Sequence, residues 1–140
     1  MSTLTPTILL PTIVSLILSA CGSAGGPSTS IQVSMTDFAF TPNTLTVPSG
    51  EEITIRTTNN GAVAHDFMIM KLGKEIGSQD HAGAEAHANA FWEQEQLAAG
   101  ETRESTFMAP MEPGAYQIIC GIAGHMEAGM VGRLVVVSPP

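Results

Sequence analysis

Between Ile31 and Val137 apolar and polar residues alternate in short runs, each closed by a turn signal, and that rhythm is what most limits the possible folds. Ile31, Val33 and Met35 alternate with Gln32, Ser34 and Thr36, the period of a half-buried strand. Phe38 and Phe40 continue the apolar set after a phase shift at Asp37, and Thr41-Pro42-Asn43 makes a turn. Leu45 and Val47 form the next run before Pro48-Ser49-Gly50, and residues 52–58 read as a strand ending at Asn59-Asn60-Gly61. Residues 62–70 are continuously apolar except at His65 and Asp66. Strand patterning returns at 102–108, 115–120 and 132–137, after the turn Pro110-Met111-Glu112-Pro113-Gly114. Residues 71–92 break the rhythm, and alanines at 82, 84, 86, 88 and 90 predict a helical stretch inside a long loop. About seven or eight short strands joined by Gly/Pro turns predict an all-β, antiparallel sandwich of two packed sheets. The 14 Gly and 9 Pro, with few aromatic residues, argue against a coiled coil or helical bundle.

The 140 residues fit one domain. Thirteen acidic residues against five basic ones give a net charge of −8 and no basic stripe, which argues against nucleic acid as a partner. Glu51, Glu52, Glu93, Glu95, Glu101 and Glu104 read as a solvated face. Two cysteines, Cys21 and Cys120, are too few for a disulfide scaffold.

Residues 1–20 hold no charged side chain, and Ile8 to Ala20 is mostly apolar. A helix of about 13 residues spans about 20 Å, short of the ~30 Å hydrocarbon core, so the segment fits a signal peptide. It ends in Leu18-Ser19-Ala20-Cys21, which resembles the lipobox of bacterial lipoproteins, where the cysteine is lipidated and becomes the first mature residue. Residues 21–30 then have the composition of a flexible tether, and the domain proper spans 31–140. The basic n-region of a signal peptide is absent. Three alternatives stay open: a Cys21–Cys120 disulfide, secretion without lipid, and a retained amino-terminal anchor.

The chemistry lies between the last two strands, in Cys120-Gly121-Ile122-Ala123-Gly124-His125-Met126-Glu127-Ala128-Gly129-Met130. Thiolate, imidazole and thioether recur five residues apart, with glycines at 121, 124 and 129 to bend the loop. His65, far upstream on another predicted strand, offers a fourth donor. Two His, one Cys and a weak axial Met are the donor set of a trigonal copper site. Singly, each has a plainer reading: an inert buried Cys, a satisfied core His, a core-filling Met.

With this spacing the sequence resembles the cupredoxins, the small blue copper proteins, and the azurin, auracyanin and plastocyanin kind among them. Cys120, His125 and Met130 match the Cys-x4-His-x4-Met loop, and Ala115-Tyr116-Gln117-Ile118-Ile119-Cys120-Gly121 is similar to the strand leading into it. The resemblance runs from Phe38-Ala39-Phe40-Thr41-Pro42 to the final strand. It implies a Greek-key sandwich, one type 1 copper bound by His65, Cys120, His125 and Met130, and one-electron transfer rather than catalysis. It also implies that His125 reaches the surface through Ile122, Ala123, Met126 and Ala128 as the electron port. The implied partners are membrane or periplasmic redox proteins, met by a monomer held to the membrane by lipid at Cys21, outside the cytoplasm.

Asp66 stands where the family commonly has Asn, and an ionised carboxyl there is expected to favour Cu(II) and lower the potential. A hydrogen bond from this residue to the cysteine loop is expected to need a protonated or reoriented carboxyl. Gly124 stands near where a dinuclear site needs a second Cys, so one copper is expected. His81 and His87, with Asp80 and Glu85, read either as a surface metal site or as a solvated polar helix. Met68, Met70, Met108, Met111 and Met126 read as packing or as a soft patch that hands over Cu(I). The rival functions are a copper carrier serving an oxidase and a structural adhesion domain.

Overall fold

The computed structural model describes residues 26–77 and 83–139; the proposed signal peptide, Cys21 and His81 lie outside them. Nine strands and one helix follow in the order β1 (Ser30–Thr36), β2 (Ala39–Thr41), β3 (Thr44–Pro48), β4 (Glu52–Asn59), β5 (His65–Met70), α1 (Ala84–Asn89), β6 (Ala90–Leu97), β7 (Thr102–Met108), β8 (Gly114–Ile119) and β9 (Val131–Val137). They form two sheets, ordered β2-β1-β4-β7 and β3-β9-β8-β5-β6. The β-sandwich stands, with mixed rather than purely antiparallel sheets. β1 runs parallel to β4, with Ile31 beside Ile55, and β3 runs parallel to β9, with Leu45 beside Leu134. Alternation fixes which side chains face inward and carries no information on strand direction.

The inward set of both sheets makes one core: Val33, Met35, Val47, Ile53, Ile55, Phe67, Ile69, Ile118 and Leu134 are all nearly or fully buried. Phe40 and Trp92 pack edge-on against Phe67. A buried polar bridge crosses the layers, Gln94 Nε2 donating to Thr57 Oγ1 and Ser105 Oγ donating to Gln94 Oε1 at 3.1 Å. Ordered structure starts before residue 31, since the Ser28 N–H donates to the Thr46 carbonyl at 3.0 Å.

β5 is buried at all six positions, which explains why residues 67–70 are all apolar rather than alternating. One face joins the sandwich core. On the other, Met68, Met70, Ile119 and Met126 pack under Ile76 and Ala86 from the loop between β5 and β6. The expected helix is present, and Ala86 is its buried contact. The irregular segment ends at Asn89 rather than at 92, because residues 90–97 are an edge strand paired with β5. That strand escapes a hydrophobic reading: only Gln94 and Leu97 are buried, and the glutamates face water. Among the described residues no helix is long and apolar enough to cross a membrane.

Candidate metal centre

His65 opens β5, Cys120 directly follows β8, and His125 lies on the loop between β8 and β9. β5 and β8 are antiparallel neighbours, with Met68 opposite Ile119, so the end of β8 arrives beside the start of β5. The loop then folds on itself: the His125 N–H donates to the Ile122 carbonyl at 3.1 Å and the Ala128 N–H to the Gly124 carbonyl at 3.0 Å. Gly124 and Gly129 carry the tight bends at φ of +86° and +105°, where an L side chain is strained. Backbone bonds close the loop: Met130 N–H to the His125 carbonyl at 3.0 Å, and Cys120 N–H to the Met130 carbonyl at 3.3 Å.

The result is a cluster of three donors. His65 Nδ1 lies 3.2 Å from His125 Nδ1, and Cys120 Sγ lies 3.4 Å from the same His125 atom. All three donor atoms fall within 4.8 Å of one another, and no other such group of His, Cys, Asp or Glu occurs among the described residues. Donor–metal distances of about 2.0–2.3 Å place neighbouring donors of a trigonal set about 3.5–3.8 Å apart, so the triangle is close to the size a metal needs. A soft thiolate with two imidazoles suits copper in both oxidation states. His65, Cys120 and Met130 are fully buried, whereas His125 is partly exposed.

Burial, followed by the charge of Asp66, pushes the Cys120 thiol up to about 12. Without metal the sulfur is therefore a thiol, and metal must displace its proton. Burial and the neighbouring His65 ring lower the His125 imidazole, which keeps its lone pair free at neutral pH.

Asp66 pins the cysteine loop, as Gly121 N–H donates to its Oδ1 at 2.5 Å. Of the two expected routes, the bond does not require a protonated carboxyl: the donor is a backbone N–H, and a carboxylate oxygen accepts it. Asp66 is 7% exposed, and burial pushes its carboxyl up despite that bond.

Two neighbours of the site escaped the sequence reading. His65 Nε2 lies 2.9 Å from Asp37 Oδ1, and the exposed Phe38 ring packs edge-on against His125 with centroids 4.8 Å apart. The only sequence signal was the break in alternation at Asp37. Of the expected rim, Ala123 and Ala128 are exposed and Ile122 is intermediate, while Met126 is buried under the helix loop. Met68 and Met70 are buried with it and Met108 and Met111 are exposed, so the five methionines do not form one surface patch. His87 is exposed and pairs with Glu93, Nδ1 to Oε2 at 2.7 Å.

The family model of the cupredoxin-like domain matches residues 8–136. The chain is 34% identical to auracyanin-A of Chloroflexus aurantiacus, over 89% of this chain and 91% of that protein. It is 32% identical to the copper-resistant cuproprotein CopI of Rubrivivax gelatinosus, over 82% and 70% respectively. It is 37% identical to the plastocyanin of Mercurialis perennis, over 71% and 89%. Among solved structures, the blue copper protein auracyanin A of Chloroflexus aurantiacus superposes with a TM-score of 0.64 at 32% identity, over 80% of this chain and 100% of that one. Reduced auracyanin of Roseiflexus castenholzii gives 0.69 at 27% identity, over 80% and 99%. The cofactor of this family is one type 1 copper, and the imidazole–imidazole–thiol triangle fits it. By fold, by donor set and by sequence, the chain belongs to the cupredoxins.

Proposed function

We propose that His65, Cys120 and His125 would hold one copper, with Met130 as a fourth, weaker donor, and that the protein carries single electrons between extracytoplasmic redox proteins. The observation behind this reading is a cluster of three donor atoms within 4.8 Å, of which only His125 belongs to a residue that reaches the surface. Copper, when bound, supplies a one-electron Cu(I)/Cu(II) couple. The protein's part is rigidity. Two donors sit at the ends of neighbouring strands, the loop carrying the third is tied at both ends, and Asp66 fixes its first turn. A site held this way changes little between oxidation states, which favours fast exchange. Cys120 and Met130 exclude water from the interior side, and His125 with the Phe38 ring forms the contact face. Such small apolar faces suit the brief encounters of redox partners. On this reading the protein is a carrier rather than an enzyme, works as a monomer, and is held to the membrane by a lipid at Cys21 after removal of residues 1–20.

Cu(II) added at one equivalent is expected to give an intense red-region thiolate-to-copper band and narrow EPR hyperfine splitting, both lost in Cys120→Ser. A pale protein with ordinary tetragonal signals sinks the reading.

The similarity to CopI favours one second reading, delivery of copper to another protein. A carrier of metal gives up Cu(I) readily to a chelator or an apo-acceptor, whereas an electron carrier keeps it through many redox cycles.

A further inference from the structure

The turn between β1 and β2 contributes a side chain to the metal site. The Asp37 carboxylate accepts the Ala62 N–H at both oxygens, at 3.1 and 2.9 Å, and its Oδ1 lies 2.9 Å from His65 Nε2. An ionised carboxylate has no proton to give, so Nε2 carries the hydrogen and donates it. The neutral His65 ring then has its lone pair on Nδ1, the atom that faces His125. Room for this contact is kept by Gly61: a Cβ there would collide with Asp37 Oδ1 and stand 2.9 Å from His65 Nε2. A carboxylate, its glycine clearance and a fully buried imidazole thus form one unit.

We infer that Asp37 is a positioning residue for the metal centre: its hydrogen bond selects the Nε2–H tautomer of His65 and makes Nδ1 a stronger donor. The role rests on the reading of His65 as a copper ligand. Carboxylate partners of metal-bound histidines fix ring orientation and raise ligand basicity, and their loss typically costs about 10–100-fold in metal affinity. A more basic imidazole favours the more highly charged ion. Asp37 therefore holds Cu(II) more than Cu(I), and acts through the hydrogen bond, since charge carried through solvent at this exposed turn is screened.

The test combines Asp37→Asn, Asp37→Ala and Gly61→Ala with Asn60→Ala as the control. Asn60 Nδ2 ties the same loop to Ser34 Oγ at 2.7 Å, away from the His65 ring, so its loss loosens the loop without touching the ring. Two readouts are taken: the reduction potential of the copper protein, and the ring 15N shifts of His65 in the metal-free protein. Asp37→Asn is expected to weaken Cu(II) about tenfold more than Cu(I), a rise of about 59 mV for one electron. Gly61→Ala, which keeps the charge but displaces it, moves the potential the same way. Metal-free wild type shows the Nε2–H tautomer alone, and Asp37→Ala a mixture. An unchanged potential with an unchanged tautomer overturns the role, as does an equal shift in Asn60→Ala. If Asp37→Ala does not fold, Asp37→Asn and Gly61→Ala decide. A wild type without the blue band defeats the copper assignment; a blue wild type with indifferent variants defeats only the role of Asp37.

Discussion

The two imidazoles that face each other across the metal site are held by opposite kinds of structure. His65 belongs to a strand, is fully buried, and has both ring nitrogens engaged, one toward the site and one on Asp37. His125 sits on a loop, is partly exposed, and its neighbour on the solvent side is the Phe38 ring. The strand side sets geometry, because β5 is packed on both faces and cannot shift without opening two clusters. The loop side leaves one edge of the His125 ring near water, as the proposed exit for the electron requires. A carrier needs both: rigid donors within and a short, apolar way out.

The largest test of this contrast deletes each ring in turn. His65→Gly and His125→Gly should both lose the blue band, and added imidazole should restore it at very different rates. The His125 cavity opens to solvent and fills within mixing time. The His65 cavity fills only after local opening; at about 3 kcal/mol that slows recovery about a hundredfold. Equal rates, followed by stopped-flow absorbance, would mean that the strand side is no more closed than the loop side.

Aromatic truncations probe the same division at smaller scale. Phe67 is fully buried between Phe40 and Trp92, at centroid distances of 5.2 and 6.3 Å. Phe67→Ala should cost about 4 kcal/mol, or about 15 °C in Tm. Phe38 is 39% exposed and pairs edge-on with the His125 and His65 rings at the surface of the site, so Phe38→Ala should cost only about 1 kcal/mol. Thermal unfolding of the metal-free proteins checks both. A Phe38→Ala loss as large as that of Phe67→Ala would make the rim part of the core.

Much of this was legible in the sequence, for physical reasons that can be named. Inward residues such as Ile53, Ile55 and Leu134 were found by alternation because they face one layer. The loop that brings Cys120 and His125 beside His65 was legible because its possible donors are spaced within one short segment. Pairing direction was not legible, since β1 beside β4 looks the same in alternation whether parallel or antiparallel. β6 was missed because an edge strand with glutamates at 93 and 95 carries almost no hydrophobic signal. Asp37 was missed because its partners, Ala62 and His65, lie more than twenty residues away, and a contact across a turn leaves no periodic mark.

The smallest effect separates the two acids beside the site. Burial holds the Asp66 carboxyl above its ordinary 3.8, while the Ala62 N–H and then His65 hold Asp37 below it. For Asp66 the native state keeps its proton to higher pH than the unfolded chain. Stability on its account therefore falls as pH rises from 3.8 to the raised native value, and the penalty is complete above that value. Asp37 has the opposite sign: its contribution is present above 3.8 and is lost as pH falls through its lowered native value. Asp66→Asn keeps an oxygen to accept the Gly121 N–H and removes the buried charge. It should raise the Tm of the metal-free protein at pH 7 by about 4 °C, for about 1 kcal/mol, and the gain should shrink toward zero as pH approaches 3.8. His125, lowered by burial, is held up in part by the Asp66 charge, so it is lowered further in the variant and adds to the shrinkage of the gain on acidification. A gain that stays flat with pH would mean that the variant acts through packing. A lower Tm at pH 7 would mean that the charged carboxylate is the better anchor for the cysteine loop.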